Sequence, residues 1–541
     1  MLEFPMSISR RALMSAFAAT TAVAGFAGKA AFAQASADPA VLEAMRRATR
    51  FMVEEAAVNG GYVWSYLPDF SRRWGELEAS PTMIWIQPPG TATMGHLFLD
   101  AYHATGDEFY YEAAQSATGA VIAAQVSAGG WNYVHDTAGE AAEQQWYDTV
   151  AANAWRLEEF RKRYGNGTFD DAGTSESAQL LLRMYLEKRD ETYRGPLYKA
   201  IDFILDAQYP NGGWPQRFPL PEDEDDYTRY ITFNDDVAGE NLEFLIFAYQ
   251  ALGEQRLLDP IRRGMDIFLE TQQPMPQPGW GLQHYVHDLT PAPARSIEPR
   301  AFATHTTAAN IRALIGFYRL TGDRKYLARI PEAIDWLESV AAPADIRPPG
   351  RTHPTFIQIG NGRPLYIHRR GSNITNGSYY ADENPNDTVI HYGSFRAVDT
   401  DALRAEYEAA AALSPEQASA GSPLLAASGS RELPRYFTLK DVDVSDLNTP
   451  GFDPNPPSAE RVAELIGTLN ERGYWSTPLT TTSNPYIGQS PAAVTPGEYR
   501  LTRVGDQWDT SPYVTDFPVE GVSTSVYIRN MGQFIQALGA R

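Results

Sequence analysis

The sequence predicts a mainly α protein, an (α/α) toroid of repeated helix pairs with a small β-hairpin region, and two observations carry that expectation. The first is an internal repeat. Four apolar segments end in a tyrosine and a turn before a second helical stretch: Tyr102 to Asp107, Tyr185 to Asp190, Tyr249 to Glu254 and Tyr318 to Asp323. The tyrosines lie 83, 64 and 69 residues apart, and helix-pair repeats of such length build solenoids or closed toroids. The second is the scarcity of Val, Ile and Thr alternation before about residue 350, which removes the signal of a β-sandwich or β-helix core.

Each element follows from local chemistry. Gly106, Gly253 and Gly322 supply the left-handed turn that stops a helix, and the acid after it sits where a new helix start favours negative charge. Leu242, Leu245, Ile246 and Tyr249 recur with helical period. After the second helix of a pair come Gly129-Gly130-Trp131, Gly212-Gly213-Trp214-Pro215 and Gly279-Trp280-Gly281, so these loops are expected on one face. Trp131 and Trp280 fit core plugs. For Trp214, beside Pro215-Gln216-Arg217, a plug and a ring stacked on a sugar stand level.

The bulk numbers set limits. The 541 residues, 43% hydrophobic and 21% charged, describe a globular protein with one large helical domain and appendages. With no cysteine, a metal must sit on oxygen or imidazole, which favours hard cations such as calcium. A net charge of −22 argues against nucleic acid as a partner. Ser9-Arg10-Arg11, the apolar run Leu13 to Phe26 and Ala31-Phe32-Ala33 make residues 1–35 a secretory signal, with paired arginines suggesting the twin-arginine route. The run is too short and Ala/Gly-rich for a comfortable span, so a monomeric protein exported to the periplasm or beyond, with no membrane span once processed, is expected. Residues 38–400 form the expected toroid and 401–541 an insertion and C-terminal extension packing on it, with Ser414 to Ser430 a mobile stretch and a last helix around Tyr527.

Four motifs carry chemistry. Thr168-Phe169-Asp170-Asp171-Ala172-Gly173-Thr174 opens one repeat and Ile231-Thr232-Phe233-Asn234-Asp235-Asp236 the next, with Asp235 65 residues on from Asp170. Capping explains one acid per helix start but not pairs at both, and converging carboxylates repel unless a cation or proton sits between them. The third motif, Gln283-His284 and then Pro291 to Arg300, sets Arg295, Glu298 and Arg300 in a proline-rigid segment suited to fixing a guanidinium. The fourth, Phe356 to Gly371, predicts a hairpin bearing Arg363, Arg369 and Arg370, a place for anionic carboxylates.

In this order the motifs resemble the pectate lyases of polysaccharide lyase family ten. The family pattern T-[IF]-D-[ND]-x-[GA]-T, G-G-W-P-Q, I-T-[FY]-N-D-D, P-x-x-A-R-x-[YF]-E-P and N-R-P-[IL]-[FY] matches Thr168–Thr174, Gly212–Gln216, Ile231–Asp236, the loop to Pro299 and Asn361–Arg370, over roughly residues 120 to 395. The resemblance implies a groove binding polygalacturonate with bridging Ca2+, which would bring the polyanion to an acidic protein. It puts the base on Arg295, calcium-site aspartates on Asp170 and Asp235, and the arginine that holds a substrate carboxylate on Arg363 or Arg369; Asp236 is expected as a further metal ligand, and Arg300, Asn234, Asp171 and Trp214 as further substrate contacts. The chain departs from the pattern at Tyr285, where the family has Asp and Asp288 is a nearby substitute, at Ile297, and at Gly362 inserted in the hairpin. The rival expectations are a glycoside hydrolase using Asp170 or Asp171 with Asp235, and a carbohydrate-binding protein presenting tryptophans.

Overall fold

The computed structural model describes residues 38–151, 158–160, 162–370, 378–386, 388, 394–425, 433–439, 456–479 and 520–539. The expected signal lies outside them. Fourteen α-helices are found among the described residues: α1 (Pro39–Phe51), α2 (Thr91–Thr105), α3 (Glu108–Ala123), α4 (Glu140–Thr149), α5 (Gly173–Lys188), α6 (Glu191–Ala207), α7 (Val237–Leu252), α8 (Leu258–Glu270), α9 (Thr304–Thr321), α10 (Ile330–Ser339), α11 (Thr400–Ala411), α12 (Pro415–Ser419), α13 (Ala459–Thr468) and α14 (Thr524–Ala537). The predicted pairs are α2–α3, α5–α6, α7–α8 and α9–α10; α2 packs on α5 and α5 on α7, while α8 lies against α9. The mainly α toroid expected from the repeat is the fold observed.

The breaks are built as their chemistry requires. Gly106, Gly253 and Gly322 are left-handed at φ 70°, 74° and 71°, and Asp107 and Asp323 cap the next helical turn through the N–H groups of Phe109 and Lys325. In the repeat that lacks glycine, Arg189 takes the same conformation at φ 54°, a strain of roughly 1–2 kcal/mol, and Asp190 caps Thr192.

The tryptophan loops correct one expectation. Trp214 is 0% exposed, as are Trp131 and Trp280, so Trp214 offers no face to a sugar. Each indole N–H instead donates back to a carbonyl of the preceding helix: Trp131 to Val121, Trp214 to Ile204 and Trp280 to Phe268. A buried indole must place its N–H, and the repeat solves that need identically three times. Gly129 (φ 120°) and Gly212 (φ 94°) let the loops touch the next hairpin, where a Cβ would come within 2.4 Å of the Lys199 carbonyl and 2.1 Å of the Arg263 carbonyl. Each Trp carbonyl then accepts an N–H just before the next core helix, from Thr168, Thr232 and Ala303.

A fourth such link joins distant parts of the chain. The Trp64 carbonyl accepts the N–H of Thr524 at 2.8 Å, where α14 begins, and Ser65–Tyr66 pairs with Val522 and Ser523. α14 packs against both α1 and α2.

Deeper along the helices, Leu433–Leu439 is pinned by buried charge. Asp100 of α2 accepts Arg183 Nη2 at 2.6 Å, the N–H groups of Phe437 and Thr438, and the Thr438 hydroxyl. Phe437 stacks on His96 at 5.2 Å and packs on Phe247. Among the described residues no helix is long and apolar enough to cross a membrane.

Candidate active site

α5 and α7 are entered by the same irregular turn. Asp170–Ala172 and Asn234–Asp236 are single 3-10 turns, and in each the second and third residues are left-handed: Asp171 (φ 50°), Ala172 (φ 57°), Asp235 (φ 49°) and Asp236 (φ 55°). Non-glycine residues in this region cost of order 1–3 kcal/mol each and persist only where the surroundings over-determine them. Here the preceding residue is tied to the neighbouring loop, Phe169 N–H to the Gln216 carbonyl and Phe233 N–H to that of Leu282. The turns bring Asp170, Asp171 and Asp235 together, one carboxylate oxygen from each lying within 4.8 Å of the others.

This geometry changes the expected cation set. In the matched turns Asp171 is the counterpart of Asp235, and Asn234 that of Asp170. Asp171, expected only as a substrate contact, joins the group. Asp236, expected as a ligand, does not, because it folds back over the first turn of α7, where a Cβ on Gly239 would lie 2.5 Å from its Oδ1.

Asp170 is fully buried. Its Oδ2 accepts the Tyr133 hydroxyl and the Gln216 amide, both at 2.6 Å, while Oδ1 meets no hydrogen-bond donor among the described residues. Burial, and next the charge of Asp235, push its pKa up to about 8. Asp171 accepts Gln87 Nε2 at 2.6 Å, and that amide is itself held by Glu76 and Trp85. Asp235 accepts the Asn234 amide at 2.8 Å. A buried carboxylate oxygen without a donor, within reach of two further carboxylates, fits a hard divalent cation with oxygen ligands; Ca2+ is such an ion.

Against this group stands Arg295, 5% exposed. Its Nε and Nη2 grip Glu298 in a fork at 3.0 and 2.9 Å, Nη1 donates to Glu159 at 3.0 Å, and Nη2 lies 3.6 Å from Asp235. A tight turn closed by the Glu298 N–H on the Arg295 carbonyl presents both residues together. Ile297 turns the other way, into a small core with Leu282, Phe356 and Ile367, so the departure at this position is a packing residue.

The other expected contacts are more dispersed. Arg300 braces its own loop, donating to the Pro291 carbonyl and the Thr290 hydroxyl. Arg363 is exposed on the hairpin and pairs with Glu383 at 3.0 Å. Arg369 lies in the strand Pro364–Arg370, its backbone paired with Tyr379, and its side chain is outside the described residues. Asp288 caps a turn at Thr290 and does not stand in for the missing acid at Tyr285. Tyr133, Gln87 and Glu159 were given no role from the sequence. Gln216 was signalled by its motif, whereas Gln87 and Glu159 arrive from remote segments without one.

His284 is excluded as a base by its bonds. Nδ1–H donates to the Leu289 carbonyl at 2.8 Å and Nε2 accepts the Gly281 N–H at 3.0 Å. Burial pushes its pKa down to about 4. Because the folded value lies below the unfolded value of about 6.5, the stability it contributes is complete above that pH and is lost as pH falls towards 4, by up to about 3 kcal/mol. Denaturant midpoints measured between about pH 7 and about pH 4 should therefore fall less in His284→Asn than in the parent.

The model of the pectic acid lyase family matches residues 141–316. None of the curated proteins compared matches the chain. Among solved structures, the family 10 polysaccharide lyase from Cellvibrio cellulosa, solved with trigalacturonic acid, is 18% identical at a TM-score of 0.35, covering 52% of this chain and 82% of its own. The GH76A α-1,6-mannanase of Salegentibacter sp. HEL1_6 is 14% identical at 0.35, covering 93% and 99%. Cellobiose 2-epimerase from Spirochaeta thermophila is 14% identical at 0.35, covering 57% and 72%. Polysaccharide lyase is the enzyme class the family match supports, and the likeness to the pectate lyases read from the motifs stands over residues 141–316, the segment that holds Asp170, Asp171, Asp235 and Arg295.

Proposed function

We propose that this chain is a calcium-dependent pectate lyase cleaving polygalacturonate by β-elimination. The observation that carries the reading is the convergence of Asp170, Asp171 and Asp235 around an Asp170 oxygen that has no donor, with Arg295 against them. Elimination removes the C5 proton of a uronate, a weak carbon acid, and breaks the C4–O bond to leave a C4–C5 double bond. The developing enediolate requires fixed positive charge at the uronate carboxylate. A calcium ion held by Asp170, Asp171 and Asp235 would supply part of that charge. Arg295 is the group we assign to the C5 proton, with Arg363 or Arg369 taking a substrate carboxylate and Asn234 and Arg300 lining the approach. An oxygen-rich pocket of this kind repels a polyanion by itself, which makes calcium dependence a requirement of the reading. Export through the N-terminal signal and action as a monomer complete the proposal.

The test is polygalacturonate incubated with the protein in calcium or in chelator. Ultraviolet absorbance from the unsaturated product should appear in calcium and vanish with chelator. New reducing ends without absorbance would make the protein a hydrolase, and neither signal would leave it a binder; both results overturn the proposal.

A further inference from the structure

Arg217 is a fixed buried cation that forms no ion pair among the described residues. It follows the glycine–tryptophan loop, in the short strand Arg217–Phe218 that pairs with Gly167–Thr168, and its side chain is 1% exposed. Nη1 donates to Asn132 Oδ1 at 3.2 Å and Asn166 Oδ1 at 3.3 Å. Both amides are themselves oriented, Asn132 by donating to the Tyr147 hydroxyl and Asn166 to the Pro219 carbonyl. The guanidinium lies 5.1 Å from the Tyr133 ring centroid and 4.5 Å from that of Tyr164. Its Nε and Nη2, both buried, meet no acceptor among the described residues.

Those two nitrogens share one edge of the planar fork, the edge with which Arg295 grips Glu298. Glu143 is paired with Arg163 and Asp226 with Tyr164 and Lys162; Asp170 and Glu159, held by Tyr133 and Gln216 and by Arg295, each keep one buried oxygen without a donor, but neither pairs with Arg217 among the described residues. The surrounding tyrosines stay neutral, since burial raises the pKa of Tyr133, Tyr147 and Tyr164. A buried guanidinium holds its charge far more firmly than a buried lysine, and an unpaired buried charge is costly.

We propose that the Nε/Nη2 edge of Arg217 binds a compact monoanion from solvent, a chloride or a small carboxylate such as acetate, as a structural counter-ion of the loop face. Size follows from burial: a saccharide chain cannot bring its carboxylate to this edge without displacing Tyr133 and Tyr164.

The test needs no turnover, so it fails or succeeds independently of the lyase reading. In sulfate buffer of fixed ionic strength, adding chloride or acetate should raise the melting temperature, by roughly 2–3 °C at about a hundredfold excess over Kd. Arg217→Met should remove that dependence. If this variant does not fold, the chloride NMR linewidth decides, with the parent protein expected to broaden it and acetate to reverse the broadening. A melting temperature and linewidth indifferent to both anions would overturn the site. So would a shift retained in Arg217→Met, or a shift produced only by oligogalacturonate, which would make Arg217 a substrate contact.

Discussion

On the proposed reading Arg295→Ala should lose elimination by at least about a thousandfold, as removal of a proton-transfer group together with its electrostatic contribution does, and it should also lose stability. Glu298 and Glu159, each 2% exposed, share this one guanidinium. Deleting it leaves two buried carboxylates without their cation, a loss of about 3–5 kcal/mol. A dead Ala variant is therefore ambiguous alone, and Arg295→Lys separates the effects. Lysine keeps a charge beside both glutamates but cannot make the bidentate fork, so it should recover most of the melting temperature while turnover stays low. A Lys variant with parental rates would remove Arg295 from the chemistry. A guanidinium is protonated under ordinary conditions, so on this reading the rate should climb into the alkaline range; a bell centred near neutrality would assign the proton to another group.

Asp100→Ala produces the largest effect on stability alone. Asp100 is fully buried and is the common acceptor for Arg183, two backbone N–H groups and the Thr438 hydroxyl. Its removal leaves Arg183 buried without a counter-ion and unties Leu433–Leu439, at a loss of about 3–5 kcal/mol. A lowered melting temperature with new protease sensitivity in that segment is the expected outcome. Asp100→Asn should be milder, because it still accepts the backbone N–H groups. Unchanged melting in the Ala variant would show that the ion pair contributes little net energy.

The helical framework was legible because its signals are local. Gly106 or Asp190 performs its role within a few residues, and four repeats of the same break make coincidence a poor explanation. The aspartates were legible as a group but not in register. Sequence spacing sets Asp170 with Asp235, and the structure brings the two together, but two consecutive left-handed residues in each turn make Asp171 the counterpart of Asp235 and leave Asp236 outside the group. That conformation is imposed by loop-to-loop hydrogen bonds at Phe169 and Phe233, which no window of sequence contains. Trp214 was misplaced for a related reason, since a Gly-Gly-Trp loop serves a sugar site and a buried indole equally well until its N–H finds the Ile204 carbonyl. Glu159 and Gln87 are long-range partners with no motif of their own. Arg217 stood in plain view inside a motif whose other members drew the attention.

The bond between Trp64 and Thr524 bears on how the protein is made. α2 precedes by most of the described residues the helix that covers it, which belongs to residues 524–537. Until α14 has been made, α1 and α2 therefore lack this cover, and a nascent chain stalled short of it presents their apolar faces to whatever binds unfinished proteins. That cover makes α14 a checkpoint, since loss of Met531, Phe534 and Ile535, all 0% exposed, strips α1 and α2 of it.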